Sequence, residues 1–457
     1  VQPGELTDRL SGPPPEDPEP LERIVTDLQR EVIPNVTHWQ SPNNLAYFGS
    51  NASGIGLLGE MITSALNANA FIWRVSPAGA ELEGITVDWL RQGLGLPDDF
   101  DGVFNDSASI SSLAGLAAAR QQATGNAAQA GLEASRPLRM YVSSQAHSSI
   151  ERAAMILGLG REAVRHIAVD ETLAMDPGSL RTAIAQDREA GLGGAPPLRV
   201  YISGQAHSSV ERAAMILGIG RDGVRKVEVD DRLAMRPDAL RAAIAEDRAA
   251  GWTPAGIVAT VGTTSTTAID PVDAIADVAA AEGLWLHVDA AYSGPTALIP
   301  AMRPHFAGWE RADSIVVNPH KWMFTPFDCS LLLTRKMATL RDALSLVPEY
   351  LRTYDGKDAG RDYMEYVPQQ GRRARGIKMW MQLRYFGLSG LRARLQQHLD
   401  LAQELAGWIA DDPDAEVLYP VPFGTVCFRM RPRRYAGREG EPVVAEALDA
   451  LNEATMN

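Results

Sequence analysis

Two stretches decide the reading of this chain: Ser314-Ile-Val-Val-Asn318-Pro319-His320-Lys321-Trp322 and, upstream, Leu284-Trp-Leu-His287-Val-Asp289-Ala-Ala291-Tyr292. Each is a short apolar run that stops abruptly in polar residues. A buried parallel strand looks like this when its carboxyl end delivers side chains to a site. The upstream run delivers an acid, Asp289, and the other delivers Asn318, His320 and Lys321. A lysine set among apolar residues at a strand end is desolvated, which favours its neutral, nucleophilic amine, able to form a Schiff base with an aldehyde. A lone lysine more often snorkels to solvent and a lone aspartate more often caps a helix. The argument therefore rests on the pair and its context.

An acid one strand away from such a lysine suits a pyridinium nitrogen, and that pairing is what pyridoxal phosphate needs. Asn-Pro-His-Lys-Trp at 318–322, with His-Val-Asp-Ala-Ala-Tyr at 287–292, resembles the group II pyridoxal-phosphate-dependent amino acid decarboxylases, most closely the aromatic-L-amino-acid decarboxylases. Several separate motifs carry the resemblance, from about residue 20 to the end of the chain. It implies the type I fold of pyridoxal enzymes: an α/β architecture with a mostly parallel seven-stranded sheet, flanking helices, an N-terminal arm and a small C-terminal α+β domain.

The composition agrees with a large soluble enzyme. The 457 residues are 45% hydrophobic and 22% charged, enough for a sizeable core and more than one domain. A net charge of −14, with no basic stripe or cluster, argues against nucleic-acid or anionic-membrane partners. Cys329 and Cys427 lie far apart and build no disulfide framework, so reduced cytosol is the expected setting. No apolar run reaches membrane-spanning length, and no signal peptide is recognisable. The chain opens at Val1 rather than Met, as a chain lacking its first residues would.

Residues 1–20 are rich in proline and acid and read as an arm, and Leu21 to Val36 has helical periodicity. In the resembled family this segment packs on a partner subunit, which implies a homodimer with active sites at the subunit interface. The loop His38-Trp39 to Tyr47-Phe48-Gly-Ser50 is dense in aromatics. Aromatics on irregular backbone are more often core plugs than pocket walls. The resemblance reverses that and makes Trp39, Tyr47 and Phe48 substrate-pocket walls, with Ser50 replacing the family's threonine near the substrate carboxylate. Residues 52–74 read as helix, and Ser76-Pro to Glu83 opens another. The first 75 residues thus form an arm and substrate-loop segment, 76–370 a large cofactor-binding domain, and 371–457 a linker helix with a small domain. The resembled family continues for several more strands, so that last domain reads as clipped.

An internal repeat marks the large domain. Pro137-Leu-Arg-Met-Tyr-Val-Ser-Ser-Gln-Ala-His147 returns as Pro197-Leu-Arg-Val-Tyr-Ile-Ser-Gly-Gln-Ala-His207, and the likeness extends over 137–196 and 197–256. Each copy reads strand, helix, strand, helix. The family carries the unit once, with its histidine stacked on the cofactor ring. The return through Trp252-Thr-Pro-Ala255 is short, whereas the linker at 122–136 is long and loose. This favours the second copy and His207 for the site, with His147 as the alternative. Beyond it, strands and helices alternate to Asp289, and right-handed crossovers then give a parallel sheet covered on both faces.

The remaining roles are implied by the resemblance. Lys321 takes the Schiff base, Asp289 the pyridine nitrogen, Ala291 leaves room beneath the ring, and Thr264 supports the cofactor. Ala108, Ser109, Asn318 and His320 hold the phosphate. A helix N-terminus with small residues suits an anion, although serine clusters are also ordinary caps. Leu346 to Arg361 is polar and glycine-punctuated, as in a lid, and Tyr350 matches the family's proton-donating tyrosine. Relatives with phenylalanine there release aldehydes. The implied reaction takes an aromatic L-amino acid to its arylalkylamine and carbon dioxide. No metal is called for, and no cation stands among the aromatics to suit a glutamate side chain. Three alternatives stay open: an aromatic aldehyde synthase on the same fold, a catalytically silent relative, and another pyridoxal lyase or transaminase of that fold.

Overall fold

Strands that are apolar on both faces must be covered on both sides, and burial along the central strands obeys that rule. The computed structural model describes residues 2–10, 12, 15–44, 52–125, 127–130, 140–143, 155–158, 160–168, 179, 182, 183, 186, 198–346 and 360–456. Its strands are β1 (Asp101–Asn105), β2 (Met140–Ser143), β3 (Val164–Ile167), β4 (Leu198–Ser203), β5 (Val224–Val227), β6 (Thr253–Thr260), β7 (Trp285–Asp289), β8 (Ser314–Val317), β9 (Ser330–Thr334), β10 (Ala415–Val417) and β11 (Phe428–Met430). The main sheet has seven strands in the order β1-β9-β8-β7-β6-β4-β5. Strands β4 to β8 pair in parallel, and β9 alone runs against its neighbours β8 and β1. All residues of β7, β8 and β9 are buried.

The helix Ala108–Thr124 packs against β6, β7, β8 and β9. Ten consecutive residues, Ser111 to Arg120, are buried, so the helix has no polar face and belongs to the core. Its small residues allow close approach. A Cβ on Gly115 would lie 2.9 Å from Nδ1 of His287 on β7. Near its end, Arg120 donates to the carbonyls of Leu217 (2.9 Å), Met155 (2.9 Å) and Ile156 (3.3 Å). Burial pulls this guanidinium down to about 10.

The two copies of the repeat are treated differently. The second supplies β4 and β5 to the main sheet. The first pairs β2 with β3 in a separate two-stranded parallel sheet. The registers are equivalent: Met140 faces Val164 in one and Val200 faces Val224 in the other. The stretch expected as a loose linker is in part helical, because Ala108–Thr124 runs into it and Ala127–Ala130 adds a turn.

Other boundaries differ from the sequence reading for local reasons. The helix expected over 52–74 is Gly54–Leu66, and it stops where Asn67 turns left-handed at φ 47°. Gly387 (φ 62°, ψ 170°) breaks the long helix Arg375–Asp411. Strands β10 and β11 pair antiparallel, and the helix Pro442–Met456 comes after them.

Contacts divide the chain into two compact units, Val1–Ser50 and Asn51–Asn457. In the first, the expected helix is α-helical over Leu21–Asp27, passes through a π turn (Leu28–Val32) and ends in a 3-10 turn at Pro34. Leu21, Ile24, Val25 and Leu28 are exposed on it. Among the described residues, no helix is long and apolar enough to cross a membrane, and no cluster of ligating side chains suits a metal.

Candidate active site

The parallel strands end side by side, and each hands over a polar residue. Thr260 at the end of β6 lies opposite Asp289 of β7, and Asp289 opposite Val316 of β8. The Ala290 N–H donates to Val316 O (3.1 Å) and the Asn318 N–H to Ala291 O (3.1 Å), so β7 and β8 stay joined to their tips. Lys321 comes one turn later, on the short helix Pro319–Trp322 that Pro319 opens.

Three titratable groups share one electrostatic environment there. Burial pushes the Lys321 amine below the usual lysine range, and the Asp289 carboxylate opposes that shift. His207 is lowered by burial, raised by Asp289 and lowered by Lys321, so it feels both charges. His207 caps the helix Ser208–Ile216, its Nδ1 accepting from the Ser209 N–H (3.1 Å). A backbone N–H can only donate, so Nδ1 is unprotonated and the neutral ring carries its proton on Nε2. Asp289 accepts from the Ala291 N–H (3.1 Å), and both residues are buried. The structure thus brings Lys321, Asp289, Ala291 and His207 together. Perturbed groups converging at a strand-end crevice mark a functional site.

Two further features offer hydrogen-bond donors. Ala108 and Ser109 begin a 17-residue helix that no side chain caps, since the Ser107 hydroxyl donates to Asp106 instead (2.8 Å). His320 is buried, and its Nδ1 accepts from the Cys329 N–H (2.9 Å), which leaves Nε2–H as a donor. Burial, reinforced by Lys321, lowers His320 to about 3, so it stays neutral. The buried Asn318 side-chain oxygen has no hydrogen-bond partner among the described residues. An uncapped helix start and a neutral Nε2–H donor fit a bound phosphate group, toward which Asn318 would have to turn its NH2 rather than that oxygen.

Thr264 is exposed on the turn after β6. Trp39 belongs to the Val1–Ser50 unit, where it is 42% exposed. Tyr47, Phe48, Ser50, His147, Tyr350 and the lid stretch 347–359 lie outside the described residues.

Sequence reasoning passed over two features. His287, fully buried, lies between the helix Ala108–Thr124 and β8. Trp322, next to Lys321, stacks on Tyr292 (4.6 Å, 7°) and donates to Nδ1 of His398 (3.0 Å). Strict alternation along β7 was the available signal for His287, because it puts residues 285, 287 and 289 on one face.

Lysine beside aspartate at the carboxyl edge of such a sheet defines a class, the type I fold of pyridoxal phosphate enzymes. The sequence matches the pyridoxal-dependent decarboxylase conserved domain over residues 3–194 and 196–431, and the chain belongs to that family of pyridoxal-phosphate-dependent carboxy-lyases. It is 34% identical over 461 residues to phenylacetaldehyde synthase of Arabidopsis thaliana, covering 99% of this chain and 81% of that one. It is also 34% identical to tyrosine decarboxylase 2 of Narcissus pseudonarcissus, covering 99% of this chain and 80% of the relative. Among solved structures, Oryza sativa TDC with PLP and tryptamine superposes with a TM-score of 0.80 at 32% identity, covering 99% of this chain and 82% of that one.

Proposed function

We propose that this chain decarboxylates an aromatic L-amino acid, releasing the arylalkylamine and carbon dioxide. The observation that carries the proposal is the desolvated Lys321 amine within the field of Asp289 and His207 at one sheet edge. Pyridoxal phosphate, when bound, supplies the aldehyde that engages the substrate amine and the ring that accepts the electrons freed as carbon dioxide leaves.

The protein's own residues set the rest. Lys321 Nζ would hold the cofactor aldehyde, since burial lowers its proton affinity and so favours the nucleophilic form of the amine. The Asp289 carboxylate keeps a proton on the ring nitrogen. With the cofactor bound, His207 would stack on its ring, Ala291 would leave room for it, and Thr264 would support it. The first-turn N–H groups at Ala108 and Ser109, with Asn318 and His320 Nε2–H, hold the phosphate. Trp39, Tyr47 and Phe48 bury the flat face of the substrate, Ser50 lies near its carboxylate, and the Tyr350 hydroxyl returns a proton to the substrate carbon. The retained hydroxyl favours the amine over the aldehyde. The exposed apolar row Leu21, Ile24, Val25 and Leu28 supports a homodimer, in which the N-terminal segment covers a second copy.

The test is a panel of aromatic amino acids given to the purified holoenzyme, with trapped carbon dioxide and amine both measured. Equal amounts of the two are expected, and Lys321→Ala should abolish turnover and the borohydride-sensitive yellow colour together. Aldehyde, peroxide and ammonia in place of amine would overturn the proposal.

A further inference from the structure

We infer that His287 is a positioning residue for the cofactor, holding the phosphate-binding helix at a fixed height over the strands that carry Asp289 and Lys321. The inference rests on the proposed seating of the cofactor. His287 is fully buried on β7, two residues before Asp289 and on the same face. Its Nδ1 lies 2.8 Å from Ser314 Oγ and its Nε2 3.4 Å from Ser112 Oγ.

The proton positions are set by the donors. Trp285 Nε1 donates to Ser314 Oγ (2.9 Å), and an indole N–H has no other role. The Ser314 hydroxyl hydrogen is then free to donate to His287 Nδ1, which leaves Nε2–H pointing at Ser112. Burial lowers the ring to about 4, so it is neutral when the enzyme works near pH 7.

What the ring joins gives it meaning. Ser112 lies one helical turn beyond Ser109, in the helix whose first turn receives the phosphate. Ser314 opens β8, which runs directly into Asn318, His320 and Lys321. Gly115 comes so close that a Cβ there would meet Nδ1 at 2.9 Å and Cε1 at 3.2 Å. One imidazole therefore spaces three elements: the helix for the phosphate, β7 for the ring nitrogen, and β8 for the Schiff-base lysine. A rigid cofactor bound at all three points senses any change in that spacing, and displacements near 1 Å cost function steeply.

The experiment separates positioning from mere stability. Apo protein is titrated with pyridoxal phosphate by fluorescence, the visible band of the reconstituted protein is followed against pH, and apo stability is measured by thermal melting. His287→Leu is expected to weaken cofactor affinity by about tenfold or more and to shift the pH titration of the band. His287→Asn, which keeps an acceptor toward Ser314, should stay within about threefold of the natural protein. Gly115→Ala displaces the ring without removing it, and should weaken affinity in the same direction. If His287→Leu does not fold, the other two variants decide. The inference is overturned if affinity and the band titration stay unchanged while only the melting temperature falls. Failure of the natural protein itself to take up pyridoxal phosphate would instead sink the cofactor reading.

Discussion

Removing Glu83 should cost more than any ordinary surface change. Glu83 is fully buried and makes a two-pronged pair with Arg372, at 2.6 and 2.7 Å. It also accepts the Phe104 N–H of β1 (3.0 Å). Arg372 in turn donates to the carbonyls of Phe104 (2.6 Å) and Ala70 (3.2 Å). Glu83→Ala leaves a buried guanidinium without a countercharge, worth about 3–5 kcal/mol, and an unsatisfied strand N–H, worth about 1–3 kcal/mol. The two losses overlap, so the expected destabilisation is about 4–6 kcal/mol. Replacing both partners by apolar residues, Glu83→Leu with Arg372→Met, removes the stranded charge and should recover at least about 2 kcal/mol of that loss. Urea unfolding of the natural protein, the single variants and the double variant supplies the numbers. A loss under about 1 kcal/mol in Glu83→Ala, or a double variant no better than the single, would refute the reasoning.

Two more outcomes are expected. Deleting residues 137–196 joins Arg136 to Pro197, restoring the local sequence Arg-Pro-Leu-Arg at the start of β4, and it removes two strands that, among the described residues, pair with each other outside the main sheet. The shortened chain should fold and bind pyridoxal phosphate, as size-exclusion chromatography and cofactor absorbance would show; an aggregated, colourless product would contradict the assignment of the second copy to the sheet. The second outcome concerns acid. His287 lies at about 4 when folded against 6.5 when free, so its contribution is complete above pH 6.5 and is lost as pH falls toward 4, when the unfolded chain binds a proton that the folded one refuses. The stability difference between the natural protein and His287→Asn should therefore shrink by on the order of 3 kcal/mol over that window. Asp270, raised to about 6 by burial, works with the opposite sign, but it is common to both proteins and cancels. A difference independent of pH would defeat this account.

Much of the site could be read from strand ends, because an apolar run that stops in polar residues fixes both its own burial and the position of the residues just after it. Asp289 and Lys321 stood out in this way, although their roles rested on the pair and on the resemblance. Lys321 and His320 sit on a helix of one turn that Pro319 opens, which the sequence reading did not include. His287 was missed because a histidine inside a buried run carries no sign of its partners. Ser112 and Ser314 approach it from 175 and 27 residues away. Propensity also could not show where Gly54–Leu66 stops. Helical periodicity continues past Leu66, and only the left-handed Asn67 ends the helix. The seam between Glu83 and Arg372 was equally hidden, since nothing local pairs residues 289 apart.

The duplication explains its own placement. Interior strands of an open sheet have both edges taken, so an extra unit must extend the rim or stand apart. Here β5 ends the main sheet, and the first copy pairs β2 with β3 alone. Two strands do not hold together unaided, and the described contacts show what anchors them. Arg120 grips Met155 and Ile156 of the first copy and Leu217 of the second with one guanidinium. Met155 also packs with Ala128 and Leu346. Leu346 directly precedes the stretch that carries Tyr350, whereas Asp289 ends β7 and Lys321 follows β8, two strands inside the main sheet. Among the described residues, the added copy therefore touches both the helix Ala108–Thr124, through Arg120, and Leu346.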